Sequence, residues 1–424
     1  MSGTLNVEAH PLGADEFACL LDRFVLPDGP IGIAVSGGPD SMALAFCLKR
    51  WAQRPLFALI VDHGLRNGSS AEATNVKTFL DQLDIRADIL KWDHDAITAR
   101  LHEKARAARY ALLTAACCHN GLRQLMTAHH RDDQAETVLM RLAKGSGVEG
   151  LSGMAEESER AGIRILRPFL TLSKQRLMAT CVENNIPFVT DPSNQSPKFA
   201  RGRLRKVMPL LAEEGLTTES LLRLGARAAE VSEALDYYTK DFLVRATSSQ
   251  KGGVVYLDRV LFASVPRAIA LRALAHCLRF VHPDDHPPEH DGLCSLSEAI
   301  REEGDAARTF YGCIVSLTST KVTFLREESG ALERLPLKAG QTVLWDKRWA
   351  VTAASEAPET MVAALGNQTH AFTDALSPLL RRQIPQGRVR ASLPALWVGN
   401  KLEAIPSFEG TGMFSAVFRK QTFP

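Results

Sequence analysis

Short apolar runs alternate with amphipathic stretches along the N-terminal half of the chain. Buried strands are predicted at residues 31–35, 56–61, 87–90 and 124–128, because each is a short apolar run bounded by turn residues. The stretches between and after these runs repeat their apolar positions every three or four residues, which predicts helices. Strands that alternate with helices are typical of a parallel sheet with helices on both faces. The sequence therefore predicts a doubly wound α/β domain.

The C-terminal half has a different pattern. Residues 215–218 resemble a linker, and the apolar stripe that follows predicts a long helix carrying Leu221, Leu224, Ala228, Val231 and Leu235. A second helix is predicted over residues 266–280, and from about residue 335 short β-like runs are broken by Gly and Pro. We therefore predict an α/β domain at 1–215, a helical middle domain at 216–330 and a small α+β or β-rich domain at 331–424.

Composition limits the classes of protein that fit this pattern. A chain of 424 residues with 45% hydrophobic and 23% charged residues is neither disordered nor fibrous, and is long enough for more than one core. Its 50 basic and 48 acidic residues give a net charge of +2, so any surface that binds a polyanion must be local. No apolar run approaches the ~20 residues of a membrane span, so no membrane partner is expected.

The cysteine spacing and the N-terminal residues bear on the cellular compartment of the protein. The 8 cysteines contain no CxxC pair, which favours free thiols in a reducing environment over zinc or disulfides. The first residues include Glu8 but no Lys or Arg, which argues against a leader peptide. We therefore expect a cytoplasmic protein.

The most informative segment is a loop between the first strand and the following helix. Its residues are Ser36, Gly37, Gly38, Pro39, Asp40 and Ser41. Glycines allow backbone N–H groups to approach an anion, the serines add hydroxyl donors, and a helix N-terminus favours negative charge. Asp40 suits such a site only if a divalent metal, most simply Mg²⁺, bridges it to phosphates. The loop is neither a GK[ST] P-loop nor a GxGxxG dinucleotide motif.

Polar residues follow the second and fourth strands, whose carboxyl ends meet the same edge of the sheet. The second strand is followed by Asp62 and His63, and the fourth by His129, His130, Asp132, Asp133 and Glu136. Asp133 and Glu136 are three residues apart, so on a helix they share a face. Such carboxylates suit Mg²⁺ or a cationic substrate, or alternatively a solvated helix start. The histidines suit proton transfer near neutral pH or a structural role.

A basic segment follows the α/β pattern. It contains Lys198, Arg201, Arg203, Arg205 and Lys206 without an acidic residue among them. This density contrasts with the near-neutral chain and suits a nucleic-acid backbone. A solvated basic helix is the alternative.

The loop resembles the pyrophosphate-binding loop of the N-type ATP pyrophosphatases, or PP-loop superfamily. Further motifs occur in order and are similar to those of the tRNA(Ile)-lysidine synthetases: AVSGGPDS, VDHGLR, KARAARYALL, TAHHRDDQAET, KGSGVEGLSGM, RPFL and DPSNQSPKFARGRLRKVMPLL. The resemblance covers the first half of the chain strongly, and the remainder only in its architecture. It implies ATP-dependent ligation of free L-lysine to C2 of the wobble cytidine in the CAU anticodon of tRNA(Ile).

In that family the cytidine is adenylated with release of pyrophosphate, and the ε-amine of lysine then expels AMP. The resemblance assigns ATP to the loop residues with Asp62 and His63, and Mg²⁺ to Asp40. Asp133, Glu136, Asp132 and His130 are expected to serve lysine binding and catalysis, and the basic segment and trailing domains to contact tRNA. The oligomeric state is left open, with a homodimer among the options.

Three alternatives fit parts of the sequence. A tRNA thiolase of the same superfamily also adenylates a base carbonyl, but such enzymes use reactive or cluster-binding cysteines, commonly in CxxC pairs. Amide-forming members, which make NAD or GMP, fit the loop but leave the basic segment unexplained. A non-catalytic RNA-binding protein conflicts with the intact Ser36, Asp40 and Ser41.

Overall fold

The computed structural model describes residues 10–52, 54–64, 68–94, 101–189, 200–250, 252–282, 284, 286–302, 304–327, 333–368, 370, 387–408 and 412–418. The chain divides into two compact units, Met1–Ser232 and Glu233–Pro424. None of the helices in the described ranges combines the length and hydropathy that a membrane span needs.

The first unit is built on a six-stranded sheet. Its strands are β1 (Ile31–Val35), β2 (Leu56–Asp62), β3 (Arg86–Lys91), β4 (Gln124–Met126), β5 (Glu157–Arg160) and β6 (Ile163–Leu166). They lie in the order β3-β2-β1-β4-β6-β5. All neighbours pair in parallel except the edge strand β5, which is antiparallel to β6. The predicted α/β fold class is confirmed.

Helices cover both faces of this sheet. The described helices of this unit are α1 (Ala14–Leu21), α2 (Pro39–Trp51), α3 (Ser69–Gln82), α4 (Leu101–His119), α5 (Arg131–Ala143), α6 (Val148–Leu151), α7 (Lys174–Glu183), α8 (Ala200–Glu213) and the long α9 (Thr218–Ala246), within which the two units divide. Residues of α2 and α3 pack on one face of the sheet and residues of α4 on the other. Along β2, Ala58 and Ile60 join one apolar core, while Phe57 and Leu59 join another on the opposite face. Burial on both faces explains why the strands appear in the sequence as continuous apolar runs.

The strand order creates a crevice at one edge. From β1 the chain leads first to β2 and β3 on one side and then crosses to β4 on the other. Open α/β sheets bind ligands at such a switch point, outside the carboxyl ends of the strands. The loop after β1 and the histidines after β4 lie at this edge.

The second unit contains more β-structure than predicted. Its helices are α10 (Arg259–Ser264), α11 (Arg267–Val281), α12 (His290–Arg301) and α13 (Arg388–Ala391). A five-stranded antiparallel sheet, in the order β7-β8-β11-β10-β9, comprises β7 (Thr247–Gln250), β8 (Val254–Asp258), β9 (Ala306–Phe310), β10 (Cys313–Leu317) and β11 (Lys321–Arg326). The expectation of a helical middle segment was therefore incomplete. The edge strand β9 is almost wholly exposed, so it lacks the alternation that marks a half-buried strand.

The C-terminal segment is β-rich, as predicted. One sheet, ordered β12-β15-β16-β17, contains β12 (Leu335–Leu337), β15 (Thr360–Ala364), β16 (Pro394–Val398) and β17 (Lys401–Ala404); another, ordered β13-β14-β18, contains β13 (Thr342–Trp345), β14 (Trp349–Ala353) and β18 (Phe414–Phe418). Both sheets contribute to one core that includes Trp345, Val351 and Leu396. The division into three domains stays a prediction.

Candidate active site

The loop after β1 is held in its shape by hydrogen bonds within the loop and by the conformation of Gly37. Gly37 has φ +79°, and an added Cβ would lie 2.7 Å from Val76 Cγ2, so only glycine fits there. The Ser36 N–H donates to Ser41 Oγ at 3.1 Å, and Ser41 Oγ donates to the Gly38 carbonyl at 3.1 Å. Pro39 begins α2, whose N-terminus is the positive end of the helix dipole. This geometry is compatible with the anion site that the sequence predicts, and the site itself stays a prediction.

Asp40 lies in the first turn of α2 and has an incomplete set of partners. Its side chain is 24% exposed, yet its Oδ1 is buried without a hydrogen-bond partner. Burial raises the pKa of this carboxyl, while His130 and Lys174 oppose the shift. A buried carboxylate oxygen without a donor fits a cation. In the described part of the chain, no three His, Cys, Asp or Glu side chains are grouped as a protein-only metal site, so Mg²⁺ would also need phosphate oxygens, its usual arrangement beside a nucleotide.

His130 is buried among the carboxylates of Asp40, Asp132 and Asp133. These three aspartates, with Glu136 one turn further along α5, are called the acidic cluster below. The His130 Nε2 lies 3.7 Å from Asp40 Oδ2 and 3.4 Å from Asp133 Oδ2, and its Nδ1 lies 3.4 Å from Asp132 Oδ2. Burial lowers the pKa of the imidazole, but the hydrogen bond to Asp132 and the charges of all three aspartates outweigh burial, so the pKa is raised. His130 therefore favours the protonated form more strongly than a free histidine does.

His130 also lies directly before α5, whose first residue is Arg131. His130 is the N-cap: its N–H donates to Asp133 Oδ2 at 3.2 Å, and the Asp133 N–H approaches His130 Nδ1 at 3.4 Å. Nδ1 cannot accept from Asp133 and donate to Asp132 at once. With the raised pKa, donation to Asp132 is the contact we assign. The contact that remains at the helix start is the one from the His130 N–H to the Asp133 carboxylate.

Asp132 joins the cluster to α7. Its Oδ2 accepts the Lys174 N–H at 2.8 Å, which satisfies a donor at the helix start. Burial opposes ionisation, but the hydrogen bonds from His130 and Lys174 prevail and lower the pKa of Asp132 to about 2. Asp132 therefore stays ionised and holds α7 against the site.

Glu136 is paired with the basic segment. Its buried carboxylate accepts from Arg205, with Nε 2.5 Å from Oε1 and Nη2 3.3 Å from Oε2. Arg201 Nε lies 4.0 Å from the second oxygen. Arg201 and Arg205 thus face the acidic cluster, a direction that the spacing of the basic segment did not reveal. Arg203 and Lys206 are exposed, while Lys198 lies outside the described residues.

Asp62 and His63 follow β2 and have different partners. Burial of Asp62 is outweighed by hydrogen bonds from Ser70, Ser69 and the Gly64 N–H, so its pKa is lowered. Asp62 thereby anchors the start of α3.

His63 Nε2 accepts from the guanidinium of Arg109 at 3.1 and 3.0 Å. Burial and Arg109 lower the pKa of His63 to about 4. Arg109 is not among the predicted site residues, because a lone arginine on an amphipathic helix gives no signal of its own in the sequence.

His129 is neutral near pH 7. Its Nδ1 lies 3.0 Å from Thr127 Oγ1. Burial is the main cause that lowers its pKa to about 4. The two adjacent histidines therefore differ: His130 favours a proton and His129 does not.

Comparison with known proteins defines the class first. Residues 15–211 match the family model of a PP-loop domain, so the first unit is an ATP-using PP-loop domain. A tRNA(Ile)-lysidine synthase from Rhodopseudomonas palustris is 41% identical over 70% of this chain and 90% of its own length. One from Methylobacterium sp. is 43% identical over 69% and 86%, and one from Ruegeria pomeroyi is 34% identical over 90% and 89%, respectively. The chain belongs to the tRNA(Ile)-lysidine synthase family.

Proposed function

We propose that this protein ligates free L-lysine to C2 of the wobble cytidine in the CAU anticodon of tRNA(Ile), with ATP converted to AMP and pyrophosphate. Membership of the lysidine synthase family supports this function. The observation that carries it is the position of Asp40, in the first turn after the pyrophosphate loop, with an unpartnered buried Oδ1 and with His130 3.7 Å from Oδ2. One edge of the sheet thus combines an anion site with an acidic, proton-bearing cluster.

In the first step, the C2 carbonyl oxygen attacks the α-phosphorus of ATP, and the bond to pyrophosphate breaks. The N–H groups of Gly37 and Gly38 and the N-terminus of α2 bind the departing anion. Mg²⁺, held by Asp40 and phosphate oxygens, would supply additional positive charge to the phosphates. Asp62 and His63 shape this edge by anchoring α3 and contacting Arg109.

In the second step, the ε-amine of lysine attacks C2, and the bond from C2 to the adenylate oxygen breaks to release AMP. Asp133, Asp132 and Glu136 provide the negative charge that a lysine ammonium requires. The ammonium must lose a proton before it can attack. We assign that proton to the imidazole of His130 in its deprotonated form. The step should therefore slow as the pH falls below the raised pKa of His130.

The tRNA backbone is proposed to contact the basic segment. Arg203 and Lys206 are exposed on α8 and suit phosphate contacts. Lys198, Arg201 and Arg205 complete the proposed segment, with the last two closest to the acidic cluster. The trailing domains are proposed to contact other parts of the tRNA.

The cysteines near the loop do not favour the thiolase alternative. Cys181 donates to the Pro39 carbonyl at 3.3 Å, and Cys47 is buried in α2. Burial raises the pKa of Cys47 to about 12 and that of Cys181 to about 11. Thiols with such pKa values are poor nucleophiles at neutral pH.

The test is the formation of AMP from ATP by the full chain, with isoleucine tRNA bearing a CAU anticodon and with Mg²⁺ and lysine. We expect AMP to form only when tRNA and lysine are both present. AMP formation that requires a sulfur donor instead of lysine would support the thiolase. Tight tRNA binding without ATP consumption would support the non-catalytic alternative.

A further inference from the structure

The carboxylate of Glu136 already holds a cation from within the chain. Both of its oxygens accept from the Arg205 guanidinium, at 2.5 and 3.3 Å. The Glu136 side chain is 7% exposed, whereas that of Arg205 is 33% exposed. A lysine ammonium that approaches these two oxygens therefore meets the Arg205 guanidinium already bound to them.

Helix α8, which carries Arg205, has three sets of side chains with different surroundings. Leu204, Met208 and Leu211 pack against the apolar cluster formed by α5 and the start of α9. Arg201 and Arg205 point toward Glu136 on α5. Arg203 and Lys206 are exposed to solvent. The helix thus contacts the acidic cluster with one set of basic residues and presents another to a polyanion.

We propose that Arg205 competes with lysine for Glu136, so that full lysine affinity requires tRNA to engage α8 and withdraw Arg205. This inference rests on the proposed function, because it assumes that lysine binds at the acidic cluster. Arg205 is then a positioning residue that sets the order of binding: tRNA first, lysine second. By linkage, lysine would strengthen tRNA binding by the same factor.

The chemistry of the pair supports competition. A guanidinium and an ammonium satisfy the same carboxylate, but the guanidinium is tethered and donates two hydrogen bonds in a fixed geometry. Removal of Arg205 would leave the buried Glu136 with only the more distant Arg201, 4.0 Å away, as a cationic partner, an unfavourable state that an incoming ammonium relieves. If Arg205 instead helped to hold lysine, its removal would weaken lysine binding.

The test measures binding of radiolabelled lysine by equilibrium dialysis, without ATP, in the presence and absence of tRNA. We expect Arg205→Gln to bind lysine about tenfold more tightly than the wild type when tRNA is absent, equivalent to ~1.4 kcal/mol. We expect tRNA to tighten binding to the wild type but not to this variant. Arg123→Gln, which alters an exposed arginine directly before β4, at the amino end of that strand, is the matched control and should behave as the wild type.

A second variant, Arg205→Lys, keeps the proposal testable if Arg205→Gln does not fold. Arg205→Lys retains a cation but loses the two-pronged hydrogen bond, so its lysine affinity should fall between those of the wild type and Arg205→Gln. Weaker or unchanged lysine binding in both variants would overturn the competition. If both variants bind lysine no more tightly than the wild type, but the wild type incorporates lysine into tRNA, only this inference fails. If the wild type neither binds nor incorporates lysine, the proposed function fails with it.

Discussion

Two aspartates, one in each unit, show how differently this chain treats a buried carboxylate. Asp346, between β13 and β14, is 8% exposed in its side chain. It accepts from Arg326 at 3.1 Å through each oxygen and from Arg348 Nε at 2.7 Å. Asp40 is 24% exposed, has a buried Oδ1 without a donor, and lies beside two further aspartates. The first carboxylate is satisfied by the fold, whereas the second has one buried oxygen that no group of the protein satisfies.

The charged groups around the two aspartates also differ in sign. Two arginines surround Asp346, so its negative charge is more than balanced locally. Near Asp40, the charges of Asp132 and Asp133 act with burial to raise its pKa, and His130 is the central positive partner. Burial with complete pairing indicates a structural role, while burial with incomplete pairing at a strand edge indicates a binding role.

The largest expected effect concerns Asp346. Asp346→Asn should destabilise the second unit by about 3–5 kcal/mol, because Arg348 would remain buried without its carboxylate. Urea unfolding followed by tryptophan fluorescence reports on this region through Trp345 and Trp349, both in the C-terminal core. Asp241→Asn, which removes an exposed pair with Arg245, is the control and should change stability by less than ~0.5 kcal/mol. If Asp346→Asn changed stability as little as Asp241→Asn, Asp346 would not be the structural carboxylate described above.

The next effect concerns Asp40. Asp40→Asn should reduce AMP formation by about 100-fold or more, as expected for lost stabilisation of transferring phosphates. Protein stability and tRNA binding should change little, because no protein donor is lost from Oδ1. Loss of tRNA binding or of folded protein, to the same extent as activity, would show that Asp40 is structural like Asp346.

A pH effect on stability is expected from His130. Its folded pKa is raised, so the protonated ring stabilises the fold below the unfolded pKa of about 6.5. This contribution is lost as the pH rises through the folded value. Asp132, whose pKa is lowered to about 2, keeps its own contribution until the solution becomes strongly acidic.

The unfolding free energy of the wild type should therefore exceed that of His130→Gln most between about pH 4 and 6.5, and less at alkaline pH. Urea titrations of both proteins across this range measure the difference. A difference that grows with pH would mean that the ring is neutral in the folded protein.

The smallest effects are expected on the outer face of α8. Arg203→Ala and Lys206→Ala should each weaken tRNA binding modestly and reduce the salt slope of the affinity by about 1. ATP affinity should not change, because both side chains are exposed. Filter binding at several salt concentrations measures the slope, and an unchanged slope would remove this face from the RNA interface.

The sequence predicted the first unit well for a physical reason. Strands buried on both faces leave continuous apolar runs, and the SGGPDS loop needs particular residues at particular positions. The polar edge strands β7 and β9 give no comparable signal, so the five-stranded sheet of the second unit was not foreseen, although the β-rich C-terminal segment was. The contact between Glu136 and Arg205 joins residues 69 positions apart, and no local periodicity encodes it. The roles of the individual site residues stay predictions.

The most direct test of the account is incorporation of radiolabelled lysine into an isoleucine tRNA transcript with a CAU anticodon, in the presence of ATP and Mg²⁺. Methionine tRNA, omission of ATP and the Asp40→Asn variant serve as controls. We predict label that survives mild alkaline deacylation and appears together with AMP, only with the wild-type protein and isoleucine tRNA. Label that is lost on deacylation, or that appears equally without ATP, would contradict the account.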